Sequence, residues 1–420
     1  MKQDRLLTLA WQIVDRLEEA GHHAYLVGGF VRDSLLGRPI KDIDIATSAL
    51  PQTVIALFER VEPTGLQHGT VTVIVEAVPF EVTTFRSESG YSDKRRPDAV
   101  AFITDIRDDL SRRDFTMNAM AMDRRMQLVD PFGGQDDLRA KRLRCVGAPD
   151  QRFAEDALRM LRCVRFAAEY ALAIDDATWH ALLQQADAIK AVAIERVRAE
   201  LERIIEGSFP ERGIALLASS GLAKKCGVPF IAAISGGDES ERLRQLAEVR
   251  SATEDPIIRW AGALLVLGMS AVEAVHWLRS LTFSNRKRDD IVALLRWEEE
   301  YSHLIGDGLD ERKRSWKLLV LKYGKKAARR WLVLARLVDK HREELVTLGE
   351  QWLSEMPVDR LAALAISGEQ LITAGIPAGP QLGSLLHQLL HKAALGDIPN
   401  DKESLLSEAI RLWHSQGEEQ

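Results

Sequence analysis

The first part of the chain alternates amphipathic segments with short apolar runs, a pattern typical of a domain that mixes helices and strands. Apolar residues recur at helical spacing through Leu17 and again over residues 30–36. The apolar run 24–27 between them predicts a strand, and a second strand is predicted around residues 42–46. The order helix, strand, helix, strand indicates a mixed α/β arrangement.

Two runs rich in β-branched residues follow, at 70–75 and 80–85. Such residues favour strands because their branched side chains pack well on a pleated surface. The intervening Ala77-Val78-Pro79 predicts a turn, so the two runs are predicted to form an antiparallel hairpin.

The character of the chain changes after about residue 148. From Phe153 onward it is rich in Ala, Leu, Glu and Arg, with apolar residues every three or four positions, so the remainder is predicted to be helical. Candidate boundaries are the glycine- and proline-containing breaks near 207–210, 227–229 and 236–237. Near the C terminus, turn-forming stretches at 375–380 and 396–400 flank a predicted helix over 382–394.

Composition limits the partners and the compartment. The 420 residues are 46% hydrophobic, enough for sizeable cores in two to four domains, and the net charge of −6 leaves RNA contacts to local basic patches. Cys145, Cys163 and Cys226 form no CxxC pair, which argues against a zinc site or a disulfide framework. The acidic N-terminal helix does not suit a targeting peptide and no apolar run approaches a membrane span, so a cytoplasmic protein without membrane contact is expected.

A candidate phosphate-binding turn lies in Leu26-Val-Gly-Gly-Phe-Val-Arg32. The predicted strand runs through Gly28 and Gly29 into a helix, and such a junction presents backbone N–H groups and a helix N terminus to an anion. Arg32 ends the segment with a guanidinium group. Taken alone, paired glycines after a strand are more often only a tight turn.

Asp42 and Asp44 are the candidate metal ligands. Their spacing would place both carboxylates on one strand face, with Ile43 and Ile45 on the other. Mg²⁺ prefers such oxygen ligands and would relieve the repulsion between the two charges, so the pair predicts a Mg²⁺ site that organises a triphosphate. A solvated strand edge is the structural alternative. Glu81, on a neighbouring predicted strand, is the candidate third carboxylate of a two-metal site.

Glu81 also has a structural alternative, since it could be an exposed strand residue paired with Arg86 or Thr83. Sequence alone leaves both interpretations open.

Taken together, these segments resemble a known family. Leu26 to Gly37 followed by Asp42-Ile-Asp44 is similar to the signature of class II tRNA nucleotidyltransferases and their poly(A) polymerase relatives. Four further segments match that family's motifs in order. They are the ribose-recognition motif at 112–119, a hinge-like motif at 130–134, the nucleotide-selecting motif at 155–162 and a following motif at 194–201. Five ordered matches over roughly the first half of the chain are too many for chance agreement.

The resemblance implies that Arg113, Asp114 and Asn118 lie near the ribose and triphosphate of an incoming nucleotide. That role suits their chemistry, because a ribonucleotide enzyme needs donors and acceptors at the 2′-hydroxyl, and arginine binds phosphate. Surface salt bridges are the structural alternative, which accounts poorly for a charged run flanked by Phe115 and Met117.

Asp156 and Arg159 are three residues apart in a predicted helix, and Arg162 and Arg165 continue along the same face. A carboxylate can accept from the exocyclic amino group of cytosine or adenine, while a guanidinium can donate to the adjacent ring nitrogen. Guanine and uracil present the opposite pattern and would leave polar groups unpaired. A plain i,i+3 salt bridge is the commoner meaning of such spacing. The resemblance implies that Asp156 and Arg159 select C and A, with Arg162 and Arg165 as phosphate or template-support residues.

The resemblance also implies an α+β fold with a single active site between its first two parts. A nucleotidyltransferase-type head with a mixed sheet is expected at 1–148, followed by a helical nucleotide-selecting neck at 149–208, a helical body at 209–345 and a helical tRNA-binding tail at 346–420. The chain has no His-Asp dipeptide, so it resembles bacterial members without an appended HD domain.

The implied activity is addition of CCA to the 3′ end of tRNA from CTP and ATP, without a nucleic-acid template and with release of pyrophosphate. Residues 87–96 predict a mobile loop similar to that of members that incorporate A, which disfavours enzymes adding only cytidines. Poly(A) polymerases usually carry a basic segment after the motif that contains Asp42 and Asp44. This chain instead has Gly65-Leu-Gln-His-Gly-Thr-Val71 there, which favours tRNA over poly(A) tails. An A-adding enzyme, a poly(A) polymerase and a catalytically silent RNA-binding protein remain as alternatives.

Basic clusters in the C-terminal half are candidate tRNA contacts. They lie at 286–288, 312–314, 322–326 and 329–330. Solvated helix faces are the equal alternative for each cluster. The stretch 375–400 resembles the tail of tRNA-type members and is expected to hold the tRNA elbow by shape and backbone contacts. The sequence leaves the oligomeric state open.

Overall fold

The computed structural model describes residues 2–90, 99–227, 239–302, 308–338 and 342–417, and it divides the chain into two units, Met1–Ile231 and Ala232–Gln420. All described strands belong to the first unit, and the described elements of the second unit are helical. The predicted α+β class, with a sheet-containing start and a helical remainder, is therefore confirmed. The finer division into head, neck, body and tail stays a prediction.

The first unit combines eleven helices with eleven strands in its described residues. The helices are α1 (Lys2–Glu19), α2 (Gly29–Leu35), α3 (Pro51–Leu57), α4 (Ile106–Ser111), α5 (Gly134–Arg139), α6 (Pro149–Glu155), α7 (Leu158–Glu169), α8 (Asp176–Gln185), α9 (Ile194–Ile205), α10 (Pro210–Ser219) and α11 (Leu222–Lys225). The strands are β1 (Ala24–Val27), β2 (Asp44–Thr47), β3 (Val61–Gly65), β4 (Thr70–Val75), β5 (Val78–Thr84), β6 (Arg86–Ser89), β7 (Ala99–Phe102), β8 (Ala121–Met122), β9 (Leu128–Val129), β10 (Arg142–Leu143) and β11 (Ala173–Ile174).

Seven of these strands form one mixed sheet in the order β3-β4-β5-β2-β1-β8-β9. Within it β2 and β5 are parallel, and the other neighbours are antiparallel. The predicted hairpin is β4–β5. Its turn was predicted one residue too late, because Glu76 and Ala77 form the tight turn with φ of 48° and 64°, and Val75 pairs with Val78.

Alternation along β5 separates the core of the first unit from its open face. Phe80 and Val82 are buried, whereas Glu81 lies on the opposite, exposed face. Val27 belongs to a second buried cluster, which also contains Phe85, and it pairs directly with Asp44, so this cluster adjoins the face that carries Asp44. Asp44 and Glu81 lie on the face that alternates with Phe80 and Val82, and both line the cavity described below.

Three further sequence predictions need correction. Strand β2 begins at Asp44, so Asp42 precedes it. The predicted helix across the nucleotide-selecting motif is broken, because α6 ends at Glu155 and α7 begins at Leu158. The start of the predicted loop at 87–96 is instead strand β6, which pairs with β7. Residues 91–96 of that loop, the candidate boundary at 236–237 and residues 228–229 of the boundary at 227–229 lie outside the described residues.

The second unit consists of helices in its described part. They are α12 (Glu239–Ala252), α13 (Pro256–Val266), α14 (Ala271–Ser280), α15 (Asn285–Ser302), α16 (Leu309–Val338), α17 (Glu343–Glu355), α18 (Gly368–Thr373), α19 (Pro380–Leu395) and α20 (Lys402–Gly417). Helix α16 breaks at Gly324, where φ is 86°. Helix α19 confirms the helix predicted over 382–394, and glycine at 396 ends it in the left-handed conformation.

Tryptophan side chains form the centre of the second unit. The rings of Trp297, Trp316 and Trp331 are fully buried, and their centroids lie 5.0–5.9 Å apart. The indole N–H of Trp331 donates to Glu298 at 3.0 Å, and Arg342 donates to the same carboxylate. Large buried aromatic rings of this kind contribute much of the apolar area that holds helices together.

Within the described part of the chain, no single helix has the length and apolar character needed to cross a membrane. Among the described helices, only the bent pair α13 and α14, with 119° between the two, passes that test when taken together.

Candidate active site

A cavity of about 630 Å³ lies in the first unit, and every residue predicted to act on a nucleotide lines it. These residues are Gly28, Gly29, Arg32, Asp42, Asp44, Glu81, Arg113, Asp114, Asn118, Asp156, Arg159, Arg162 and Arg165. They come from both the predicted head and the predicted neck. The structure therefore brings together residues that are as many as 137 positions apart in the sequence.

The glycine turn between β1 and α2 forms one edge of the cavity. Gly28 has φ of 66° and ψ of −120°, a conformation that side chains disfavour. A Cβ atom at Gly28 would lie 2.8 Å from Nη1 of Arg113. Glycine is favoured here by the backbone conformation, and the Arg113 guanidinium lies close against the turn.

Carboxylates form the floor of the cavity. Parallel pairing of β2 with β5 places Ile45 opposite Val82, so Asp44 and Glu81 are neighbours. Asp44 is open to the cavity, yet its partial removal from water raises its pKa to about 6, and the negative charges of Glu81 and Asp42 act in the same direction. A cation placed here would relieve this repulsion.

Glu81 and Arg86 do not form the alternative ion pair. Arg86 instead donates to Glu88 and to the His68 carbonyl. Among the described residues, no group of three or more Asp, Glu, His or Cys side chains is arranged to hold a metal ion by itself. An ion on Asp42 and Asp44 would draw its remaining ligands from phosphate and water, as Mg²⁺ commonly does.

A chain of hydrogen bonds crosses the back of the cavity. Nη1 of Arg32 donates to Oδ1 of Asn118 at 2.6 Å, and the Asn118 amide donates to Asp114 at 3.0 Å. Nε of Arg162 donates to the other Asp114 oxygen at 2.7 Å. Burial alone would raise the pKa of Asp114, but the positive charge of Arg162 and these hydrogen bonds outweigh it and lower the pKa to about 2. Asp114 is therefore a fixed anion that orients its two neighbours.

A second layer supports the turn that carries Asn118. The hydroxyl of Thr116 donates to the fully buried Asp137 at 2.7 Å, and Arg144 donates to the same carboxylate at 2.9 Å. Asp130 accepts from the backbone N–H of Gly134 at 2.7 Å. The predicted hinge-like motif at 130–134 thus packs behind the turn that carries Asn118 to the cavity.

Asp156 and Arg159 do not pair with each other. Asp156 lies between α6 and α7 with an extended backbone and is paired with Arg196 at 2.7 Å. Arg159 is paired with Glu155 at 2.6 Å and donates to the backbone carbonyl of Arg112 at 3.1 Å. The i,i+3 salt bridge is therefore not formed, and each side chain is held separately at the cavity wall.

Arg165 is more enclosed than the other arginines of the cavity. Its guanidinium pairs with Glu200 at 2.5 Å and with Glu169 at 3.0 Å, and it lies 3.8 Å from the centroid of the Phe166 ring. These contacts are those of a residue that supports the wall of the site.

Sequence reasoning did not single out several other lining residues. They are Arg86, Arg112, Arg196, Thr70, Thr83 and Phe166. Arg112 and Arg196 lie inside matched motifs, so a signal existed for them. Thr70 and Thr83 could have been found from strand alternation, since their hydroxyls hydrogen-bond across β4 and β5 at 3.0 Å.

The chain is similar to known proteins along most of its length. Residues 24–144 match the model of the poly A polymerase head domain, residues 171–233 that of a probable RNA and SrmB-binding site of polymerase A, and residues 253–409 that of tRNA nucleotidyltransferase domain 2, putative. A CCA-adding enzyme from Levilactobacillus brevis is 36% identical over 405 residues, which is 95% of this chain and 96% of that protein. The chain belongs to the CCA-adding enzyme family.

Other members of the family give the same result. The CCA-adding enzyme of Geobacillus stearothermophilus is 36% identical over 408 residues and 94% of each chain. The crystal structure of Bacillus stearothermophilus CCA-adding enzyme in complex with CTP has a TM-score of 0.82 at 32% identity and covers 98% of both chains. The resemblance drawn from the motifs is confirmed, and it extends beyond them to the C-terminal half.

Proposed function

We propose that this protein adds CCA to the 3′ end of tRNA from CTP and ATP. The observation that carries the proposal is the cavity itself, which joins an acidic floor for a metal and triphosphate to a wall bearing Asp156 and Arg159. Members of this family are nucleotidyltransferases that generally use divalent metal ions. We assign Mg²⁺ to Asp42 and Asp44, with Glu81 as a further carboxylate beside them.

The donor set fits such an ion, because two neighbouring carboxylates with mutual repulsion are stabilised by a divalent cation. When bound, Mg²⁺ would favour deprotonation of the tRNA 3′-hydroxyl and neutralise charge on the departing pyrophosphate. Arg113 would contact the triphosphate, and Asn118 would contact the ribose. Asp114 would hold Asn118 and Arg162 in place through its hydrogen bonds.

Base selection would depend on Asp156 and Arg159. The Asp156 carboxylate would accept from the exocyclic amino group of cytosine or adenine, and Arg159 would donate to N3 of cytosine or N1 of adenine. Each currently has a protein partner, Arg196 for Asp156 and Glu155 for Arg159. These partners would hold the two side chains before a base arrives, which lowers the entropy lost on binding.

Incorporation by the purified full-length protein with Mg²⁺, CTP and ATP tests the proposal on three tRNA substrates, ending before the CCA, after the first C and after CC. Extension of all three to a terminal A is the expected result. Extension of only the CC-ended substrate would make the protein an A-adding enzyme, and long A tracts would indicate a poly(A) polymerase. A gel shift of tRNA without any incorporation would indicate a silent RNA-binding protein and contradict the proposal.

A further inference from the structure

Two aromatic rings on one side of α7 are surrounded by guanidinium groups. Phe166 and Tyr170 are four residues apart, with ring centroids 6.1 Å from each other. Around Phe166 the guanidinium carbons of Arg165, Arg162 and Arg32 lie 3.8, 5.1 and 5.5 Å from the ring centroid. All three of these arginines line the nucleotide cavity.

Tyr170 lies just beyond the last residue of α7 and contacts two arginines from α2 and the residues after it. The guanidinium carbon of Arg32 is 4.5 Å from the Tyr170 ring centroid, and that of Arg38 is 4.3 Å away. The Tyr170 hydroxyl donates to Oδ1 of Asp33 at 3.0 Å. Tyr170 therefore contacts Arg32 through its ring and Asp33 through its hydroxyl.

The remaining contacts of Arg32 fix the direction of its guanidinium. Nε and Nη2 donate to the two oxygens of Asp33 at 3.0 and 2.9 Å, and Nη1 donates to Asn118 at 2.6 Å. Arginine has five N–H donors. Within the described part of the chain these bonds use three of them, which leaves one N–H on each terminal nitrogen for an anion.

We propose that Tyr170 is a positioning residue that holds Arg32 in the orientation that binds the triphosphate of the incoming nucleotide. The proposal rests on the proposed function for its reaction, but the binding of a triphosphate can be measured without turnover. A cation over an aromatic face is stabilised most when it is removed from water, and Arg32 is only 8% exposed. Without the ring, Arg32 would keep its pairing with Asp33 but lose the surface that fixes the pair.

The test compares Tyr170→Leu with Tyr170→Phe in the full-length protein. Tyr170→Leu fills much of the space without a π face, and we expect the KM for CTP and for ATP to rise about 5- to 20-fold. The KM for tRNA and kcat should change less than about twofold. Tyr170→Phe keeps the ring and should restore nucleotide KM to within about threefold of the wild-type value.

Inorganic tripolyphosphate identifies the part of the nucleotide involved. Its inhibition constant against CTP should rise by the same factor as the two KM values, because the effect acts at phosphate and not at the base. Arg38→Gln is the matched control, since Arg38 stacks on the same ring but does not line the cavity. It should leave nucleotide KM unchanged.

Combining substitutions at Tyr170 and Arg32 shows whether Tyr170 acts by positioning Arg32 or only by general packing. In an Arg32→Met background, Tyr170→Leu should add no further loss of tripolyphosphate binding, measured by calorimetry. Unchanged nucleotide and tripolyphosphate affinity in Tyr170→Leu, or an equal loss in Arg38→Gln, would overturn the inference. A wild-type protein that binds tripolyphosphate but extends no tRNA would contradict the proposed function alone. The tripolyphosphate affinities of the Tyr170 variants would still test the positioning role of Tyr170.

Discussion

Two aspartates of the same cavity have opposite electrostatic surroundings. Partial burial beside Glu81 and Asp42 raises the pKa of Asp44 to about 6, whereas Asp114 is held by Arg162 and Asn118, and its pKa is lowered to about 2. Asp114 is therefore stable as an anion within the protein alone. The anion of Asp44 is less stable than that of an ordinary carboxylate, and a cation bound beside it would lower the raised pKa.

Asp44→Asn should reduce nucleotide incorporation without reducing the thermal stability of the protein. We expect incorporation of CTP to fall on the order of 10³-fold or more, because a neutral amide is a poor ligand for a divalent ion. The thermal midpoint should not fall, since the substitution removes a repulsive charge from the cavity floor. Radiolabelled incorporation and calorimetric melting check the two parts. Glu76→Gln, in the exposed β4–β5 turn, is the carboxylate control, and retained turnover in Asp44→Asn would refute the ligand assignment.

Asp114→Asn should show a pH-dependent loss of stability. The folded-state pKa of about 2 lies below the ordinary value of 3.8, so the ionised carboxylate stabilises the folded state above pH 4 and loses this contribution as pH falls through 2. The stability difference between wild type and Asp114→Asn should therefore narrow by about 1 kcal/mol between pH 6 and pH 3. Urea unfolding followed by circular dichroism at both pH values measures it. A difference independent of pH would show that Asp114 is not an isolated fixed anion.

At the scale of elements, the close packing of α5 against the turn at residues 116–118 fixes the position of that turn. Gly134 is the first residue of α5, and a Cβ atom there would lie 2.2 Å from the carbonyl oxygen of Thr116. The same turn carries Asn118, which contacts both Arg32 and Asp114. Any displacement of the turn would therefore reach the nucleotide cavity.

Gly134→Ala should damage both stability and activity. We expect a destabilisation of about 1–3 kcal/mol, because rigid backbone has to move to admit the methyl group. Nucleotide KM should rise as Asn118 is displaced. Gly383→Ala in α19 is the control, since nothing lies within 4 Å of its Cβ, and it should leave stability unchanged or raise it by about 0.5–1 kcal/mol. Thermal unfolding and CTP incorporation of both variants test this, and normal activity in Gly134→Ala would contradict it.

The elements also explain what the sequence could predict. Strands β4 and β5 followed from β-branched runs and β1 from a short apolar run. Most of the site residues followed from ordered motifs, and Glu81 followed from its place on a predicted strand. The break at Asp156 carries no glycine or proline, so nothing local predicted it. The pairing of Asp156 with Arg196 joins residues 40 positions apart and exists only because α7 and α9 pack together. Local patterns encode faces and turns, whereas such partners depend on tertiary packing.

At the scale of the whole molecule, the cations of the second unit fall into two groups, those in ion pairs and those left to attract phosphate. Many cations of the predicted tRNA-contacting clusters are ion-paired within the unit. The pairs join Arg288 to Asp289, Lys313 to Glu355, Arg314 to Asp397, Lys322 to Glu300, and Arg330 to both Asp255 and Asp290. Since paired cations attract phosphate less, a tRNA surface is expected where exposed cations lack such partners.

Lys326 and Arg329 meet that condition. Both are exposed, they are three residues apart on α16 beyond its break, and neither has an ion-pair partner among the described residues. We expect Lys326→Gln with Arg329→Gln to weaken tRNA binding and to reduce the slope of log Kd against log salt by roughly one for each phosphate that the protein no longer neutralises. Filter binding across a salt series measures this, and CTP affinity should be unchanged, because the nucleotide cavity is lined by the first unit.

Arg330 supplies the contrast within the same helix. It is half-buried and bridges Asp255 and Asp290 at 2.8 and 2.9 Å, so Arg330→Gln leaves two carboxylates without their shared cation. That variant should lower the melting temperature of the protein and leave the salt slope unchanged. If Arg330→Gln changed the slope while the Lys326 and Arg329 double variant did not, the exposed face of α16 would be a solvated surface, and tRNA would have to contact another part of the chain.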